Sequence, residues 1–248
     1  MIEKENNEDY RYSHTQPGKG SFYDFKVYGQ KSGHRSIWLM ERQYLTDVIS
    51  RLVVKKNKYL DFACGTGRII EIFADGFNKA VGLDISEPML SVAKEKNIKA
   101  ELLLADITEN PDIAGGEFDL ITAFRFFLNA QQLLRYRVID ILAEKLTKDG
   151  ILIFNIHNSK PSFLCLQNAF TNLFTQRKIP SLSRKQVTDL VKKADLEIVE
   201  TRAFGIIPKA AHIISGARLW GRMDKTLQKV KLLQKIGSDV IYVCRKKR

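Results

Sequence analysis

The sequence predicts an α/β fold, a doubly wound and mostly parallel sheet with helices on both faces. Three observations carry that prediction. Apolar runs alternate with helix-length amphipathic stretches from residue 58 to 156, the pattern left by strand–helix–strand crossovers. The segment Tyr59-Leu-Asp-Phe-Ala-Cys-Gly-Thr-Gly-Arg68 sets a tight glycine turn directly after an apolar strand. Two further apolar runs stop at carboxylates, Asp84 and Asp106, and open α/β sheets hold their ligands at the carboxyl ends of their strands.

Taken in order, the first regular element is a helix over roughly 36–53, where Ile37, Met40, Tyr44, Val48 and Leu52 recur at helical spacing. The strand around Tyr59 and Leu60 then runs into Asp61 and the turn bearing Gly65 and Gly67. Glycines there let backbone approach a ligand and adopt conformations that a Cβ disfavours. A helix is expected to start near Arg68, offering N–H groups and a positive dipole end to an anion such as a carboxylate. The spacing is D-x-A-x-G-x-G, with Ala63 where the dinucleotide fingerprint has its first glycine. Another kind of nucleotide-binding domain would share this strand–turn–helix start.

The run Ala80-Val-Gly-Leu-Asp84 is a second strand, and a carboxylate at its end suits a ribose diol. Ser86 is expected to cap a helix over 86–96, with Pro88 in its first turn. Strand 100–105 ends at Asp106, which could accept from an exocyclic amine. Strand 118–124 precedes a helix over 130–146, and the pair Asp149-Gly150 turns the chain into strand 150–156. A helix capped by Ser183 (183–195) and strands 196–204 and 239–245 complete the pattern.

In these residues the chain resembles the class I S-adenosylmethionine-dependent methyltransferases. The resemblance rests on Asp61-Phe-Ala-Cys-Gly-Thr-Gly67, Gly82-Leu-Asp-Ile-Ser-Glu-Pro-Met-Leu90, Ala105-Asp-Ile107, Phe118-Asp-Leu-Ile-Thr-Ala123 and Asp149-Gly-Ile-Leu-Ile153. It implies a Rossmann-like, doubly wound sheet of seven strands, mostly parallel with an antiparallel last strand, plus helical cap additions. It implies S-adenosylmethionine as cofactor. The turn with Asp61, Ala63, Gly65, Gly67 and Arg68 would lie against its methionine portion, and Asp84 with Ile85 against its ribose. Met89, Asp106 and Ile107 would surround the adenine, with Ala123 and Phe124 as the floor near the sulfonium.

Outside the core, an arm over 1–36 is rich in aromatics and glycine and is expected to act as a lid on a methyltransferase domain over 37–248. For residues 1–16 a loosely ordered tail is the alternative. Cap insertions are expected at about 158–182 and 205–238. Residues 209–248 hold eleven Lys and Arg against two Asp, most of the chain's formal charge of +12. Arg218, Arg222, Lys225 and Lys229 would form one basic stripe on a helix. That stripe suits an anionic membrane surface, RNA phosphates, or simply solvent. No run approaches the length of a membrane span, the first residues are polar and acidic, unlike a secretory signal, and Cys64, Cys165 and Cys244 lack metal-like spacing. A reduced, cytoplasmic protein without a metal is expected, peripheral at the membrane if the basic segment binds there. Cys64 reads as a small packing residue.

Methyl transfer to an alcohol or phenol requires alignment and a proton acceptor. Sheet order places His157 near the expected methyl position as the candidate base, with His14, His34 and His212 on the additions. Arg125, Phe126 and Asn129 are the candidate acceptor-binding residues. The strand-four exit reads Phe124-Arg-Phe-Phe127, not the Asn/Asp-Pro-Pro-aromatic tetrapeptide of enzymes that methylate the exocyclic amines of bases. The expected function is O-methylation of a small-molecule, lipid-linked or sugar acceptor. An RNA methyltransferase, or a non-catalytic cofactor- and RNA-binding protein, is the alternative.

Overall fold

The computed structural model describes residue 10, residues 33–159, 180–206, 223, 226–227 and 230, and residues 233–247. Most of the N-terminal arm, the centre of the 158–182 insertion and the basic stripe lie outside the described residues, as do the side chains of His14, His34 and His212.

Seven strands form one sheet in the order β3-β2-β1-β4-β5-β7-β6. They are β1 (Lys58–Phe62), β2 (Lys79–Asp84), β3 (Glu101–Leu104), β4 (Phe118–Ala123), β5 (Leu146–His157), β6 (Leu196–Phe204) and β7 (Asp239–Lys246). Strands β1 to β5 pair in parallel. Strand β7 runs antiparallel between β5 and β6. This is the expected doubly wound sheet with its antiparallel last strand.

Period-two burial shows why it forms. Leu60, Val81, Ile121, Leu152 and Tyr242 bury on one face. Tyr59, Ala80, Leu120, Ile153 and Ile241, their immediate neighbours in sequence, bury on the other. Successive side chains point to opposite faces, so continuous apolar runs are what a sheet covered on both sides needs.

The helices are α1 (Gly33–Leu52), α2 (Ile70–Phe73), α3 (Glu87–Glu95), α4 (Gln132–Glu144) and α5 (Arg184–Lys193). Helix α1 buries Ile37, Leu45, Val48 and Ile49. It is tied to β6 by the Tyr44 hydroxyl, which donates to Glu200 Oε1 at 3.0 Å. Helix α5 has the expected start: Ser183 accepts the Gln186 N–H, and the Gln186 side chain accepts the Ser183 N–H.

Two local expectations differ. The helix after the glycine turn begins at Ile70 rather than near Arg68, and it lasts one turn before a 3-10 turn over Ala74–Gly76. Gly67 sits at φ +79°, Ile69 is already helical, and the Glu71 N–H bonds to the Gly67 carbonyl at 3.0 Å, so the turn runs directly into the short helix. Ser86 does occupy the N-cap of α3, but its side chain makes no cap hydrogen bond. Its own N–H instead donates to Asp84 Oδ1 at 2.8 Å.

Candidate cofactor and acceptor site

The strand order reverses between β1 and β4, and a crevice opens at the carboxyl ends there. A cavity of about 1000 Å³, counting the part open to solvent, occupies it. Asp61, Ala63, Gly65 and Arg68 line it from the β1 turn, and Asp84, Ile85 and Met89 from β2 and α3. Asp106 and Ile107 follow β3, while Phe124, Arg125 and Phe126 follow β4.

The β1 turn is built from left-handed steps at Ala63 (φ +53°), Gly65 (φ +55°) and Gly67 (φ +79°). A Cβ on Gly65 would come within 3.2 Å of Met89 Cε and narrow the cavity. Gly67 does not line the cavity. A Cβ there would collide with the Ile98 side chain and press on Ala93 of α3, so this glycine serves close packing of the turn on the helix.

The carboxylates are held by the backbone and by hydroxyls. Asp84 accepts the Gly65 N–H through Oδ2 at 2.7 Å and the Ser86 N–H through Oδ1. Burial raises its pKa above the ordinary carboxylate value, against the pull of those N–H groups. Asp106 Oδ1 accepts both the N–H (2.8 Å) and the hydroxyl (2.7 Å) of Thr108. Asp61 is almost fully buried. It accepts the Thr122 hydroxyl at 2.6 Å and the Ile70 N–H at 3.2 Å. Because Thr122 gives its proton to ionised Asp61, the Tyr59 hydroxyl, 2.8 Å away, is then the donor to Thr122. Burial pushes the Asp61 carboxyl up to about 7, with those hydrogen bonds and the Arg68 charge opposing.

Beyond Phe124 the backbone is strained. Arg125 adopts φ +65°, a conformation that costs a non-glycine residue about 1–2 kcal/mol. Two asparagines hold it there. Asn155 Oδ1 accepts the Arg125 N–H at 2.7 Å, and Asn129 Nδ2 donates to the Arg125 carbonyl at 2.7 Å. Asn129 does not line the cavity.

His157 does not line it either. Its Nε2 lies 2.5 Å from Arg125 Nη1, and its Nδ1 lies 3.2 Å from the Pro180 carbonyl. A guanidinium has donors only, so Nε2 accepts and Nδ1 carries the proton. Buried Asp239 stands 3.3 Å from the same Nε2 and 3.7 Å from Arg125 Nη2. His157 is therefore engaged at both nitrogens, directly behind Arg125, which itself lines the cavity.

Tyr10 lines the cavity without having been singled out as a site residue. Its hydroxyl donates to the Arg125 carbonyl at 3.3 Å, and its ring meets Phe126 edge-on at 5.9 Å. Cys64, Thr108, Leu134 and Val138 line it as well. The helical spacing of Leu134 and Val138, one turn apart on α4, was the signal available for those two. Cys64 is a free, buried thiol whose pKa burial pushes well up, which favours the neutral thiol and suits a packing residue. No cluster of metal-ligating side chains occurs among the described residues. No helix among them is long and apolar enough to cross a membrane.

A crevice at the switch point of a mostly parallel sheet, lined by a glycine turn and by carboxylates after β2 and β3, defines a nucleoside-cofactor-binding α/β protein. Residues 60–150 match the family model described as a methyltransferase domain. An uncharacterised protein from Methanocaldococcus jannaschii is 29% identical over 217 residues, covering 77% of this chain and 82% of that one. A ubiquinone/menaquinone biosynthesis C-methyltransferase, UbiE, from Campylobacter jejuni is 33% identical over 113 residues, covering 43% of this chain and 47% of that one. Among solved structures, magnesium protoporphyrin IX methyltransferase from Synechocystis with bound S-adenosylhomocysteine superposes with a TM-score of 0.64. That match is 14% identical and covers 92% of this chain and 98% of that one. Residues 60–150 are thus a methyltransferase domain, similar to S-adenosylmethionine-dependent methyltransferases in sequence and in fold, and S-adenosylmethionine is the cofactor that the similarity indicates.

The residues present suit that cofactor. Gly65 leaves room where a Cβ would intrude, and the Asp84 and Asp106 carboxylates on the cavity lining are acceptors of the kind that hydroxyl and amine donors of a nucleoside require.

Proposed function

We propose that the chain methylates an oxygen of a small molecule with an apolar body, free or carried on a lipid or sugar. The observation that carries this reading is the acceptor end of the cavity, where Tyr10, Phe124 and Phe126 form an aromatic wall. Apolar walls with a few placed polar groups suit small ring-bearing ligands. The relative named for ubiquinone/menaquinone biosynthesis is a C-methyltransferase, which supports a small ring-bearing acceptor and makes a ring carbon the competing atom.

S-adenosylmethionine supplies an already activated methyl group. The chain's residues bind and align. The Asp84 carboxylate accepts backbone N–H groups from Gly65 and Ser86, with Ile85 also in reach, and its two oxygens together have acceptor capacity left for a ribose diol. Asp106 accepts from the adenine amine, with Ile107 and Met89 against the ring faces. Arg68 meets the methionine carboxylate. Phe124 and the strained Arg125 backbone fix the floor opposite the acceptor, and alignment supplies much of the rate. His157 lies behind Arg125 with both nitrogens hydrogen-bonded, so an acceptor that loses its proton to solvent before transfer places the least demand on the site. A phenol or enol that ionises near neutral pH is such an acceptor.

The test is incubation with methyl-labelled S-adenosylmethionine and a panel of phenols, quinols, lipid-linked acceptors, sugars and RNA, read by mass spectrometry. Label on a phenolic or quinol oxygen is the expected result. Label on a ring carbon or nitrogen overturns the oxygen assignment.

A second reading is an RNA acceptor, favoured by residues 209–248, whose eleven Lys and Arg against two Asp supply most of the chain's formal charge of +12. Label recovered only in RNA, with binding that falls steeply with salt, would establish it.

A further inference from the structure

Arg68 lines the cavity next to Asp61 and Thr66. Its guanidinium carbon lies 3.9 Å from the ring centroid of Trp38. Trp38 comes from α1, which precedes the strand–turn–helix unit, and it is partly buried against the apolar core on that face. A guanidinium stacked on an indole gives up none of its N–H donors, because the donors lie in its plane and stacking uses its face. Stacking does remove rotamer freedom from a long side chain, so less order remains to be imposed when those donors meet a carboxylate. The Arg68 charge also acts on the buried carboxyl of Asp61, opposing its upward push. The guanidinium is thus stacked on an aromatic face from α1 and lies within electrostatic reach of a buried acid at the end of β1.

We propose that Trp38 is a positioning residue for cofactor recognition: it fixes the Arg68 guanidinium for the carboxylate of the methionine portion. This rests on the cofactor reading given above and extends it to an element outside the glycine turn. It separates two parts of one ligand. Trp38 matters for the amino-acid portion, and it is indifferent to the nucleoside portion held by Asp84 and Asp106.

Calorimetry on wild type, Trp38→Leu and Trp38→Phe with two ligands tests it. S-adenosylhomocysteine carries the amino-acid portion, and methylthioadenosine lacks it. Trp38→Leu is expected to weaken S-adenosylhomocysteine binding about three- to tenfold and to leave methylthioadenosine binding unchanged. Trp38→Phe, which keeps an aromatic face, is expected to retain most of the affinity. Equal losses for both ligands, as a general loosening of the fold would give, overturn the proposal, and so does no loss for either.

A second measurement avoids changing Trp38. The chain has two tryptophans, Trp38 and Trp220, so Trp220→Phe leaves Trp38 as the sole indole emitter. Its emission is expected to shift with S-adenosylhomocysteine and far less with methylthioadenosine. An unchanged emission while calorimetry records S-adenosylhomocysteine binding overturns the proposal. A wild-type protein that gives no binding heat with either ligand overturns the cofactor reading itself, and the absence of heat distinguishes that outcome from the others.

Discussion

The Gly65 N–H donates to Asp84 Oδ2 across 2.7 Å, joining the turn after β1 to the end of β2. One carboxylate therefore shapes the turn as well as facing the cavity. Asp84→Ala removes an acceptor from two backbone N–H groups. It is expected to weaken S-adenosylhomocysteine binding at least tenfold and to lower stability by about 1–3 kcal/mol. Asp84→Asn, with a single carbonyl oxygen, is expected to fall between. Calorimetry and thermal unfolding of the two variants check this; unchanged affinity in a folded Asp84→Ala protein would contradict it.

Ala63 occupies a left-handed conformation at φ +53° with no glycine to ease it. Ala63→Gly relieves strain of about 1–2 kcal/mol and gives part of that back through a freer unfolded chain. The net expectation is a gain of about 1 kcal/mol, or about 2–4 °C in Tm for a domain of this size. Thermal unfolding reads it directly, and a lower Tm would mean that the alanine methyl packs usefully in the turn.

The sheet was legible in the sequence because both of its faces are buried. Runs such as Phe118-Asp-Leu-Ile-Thr-Ala123 have to be apolar nearly throughout, and Asp84 and Asp106 punctuate the strand ends. The convergence of those two carboxylates with the glycine turn on one cavity follows from parallel pairing, which brings successive carboxyl ends to one edge. The surroundings of His157 were not legible. Its partner Asp239 is more than eighty residues away and faces it only because β7 inserts antiparallel beside β5, in the register His157↔Asp239. Nor was the role of Asn129, which depends on the left-handed turn at Arg125. No local pattern announces a positive φ at an arginine. Tyr10 reaches the cavity by a tertiary contact with Phe126 that spacing cannot reveal.

His157 packs between Arg125, Asp239 and the Pro180 carbonyl. His157→Ala leaves the buried Asp239 carboxylate and the Arg125 guanidinium with one polar neighbour fewer. The expected cost is about 1–3 kcal/mol of stability, with S-adenosylhomocysteine affinity changed less than twofold. Denaturant unfolding and ligand titration on the same preparation separate the two effects. A stable variant that binds normally but loses a pH-dependent limb of methyl transfer would restore His157 as the base.

Asp61 gives the site a pH dependence whose sign is fixed. Its carboxyl is raised from 3.8 to about 7, mainly by burial, so the folded protein holds this proton more tightly than the unfolded chain does. Its contribution to stability is full below about pH 4 and is lost as the pH rises through about 7. A positively charged ligand reverses the preference. The sulfonium of S-adenosylmethionine favours the ionised carboxylate, so binding near neutral pH expels a fraction of a proton and tightens between pH 6 and 8. S-adenosylhomocysteine lacks the sulfonium and is expected to show the smaller dependence. Titration calorimetry in two buffers of different ionisation enthalpy measures the proton count. Asp61→Asn is expected to abolish the difference between the ligands, and equal proton release for both in wild type would show that the sulfonium does not influence this carboxylate.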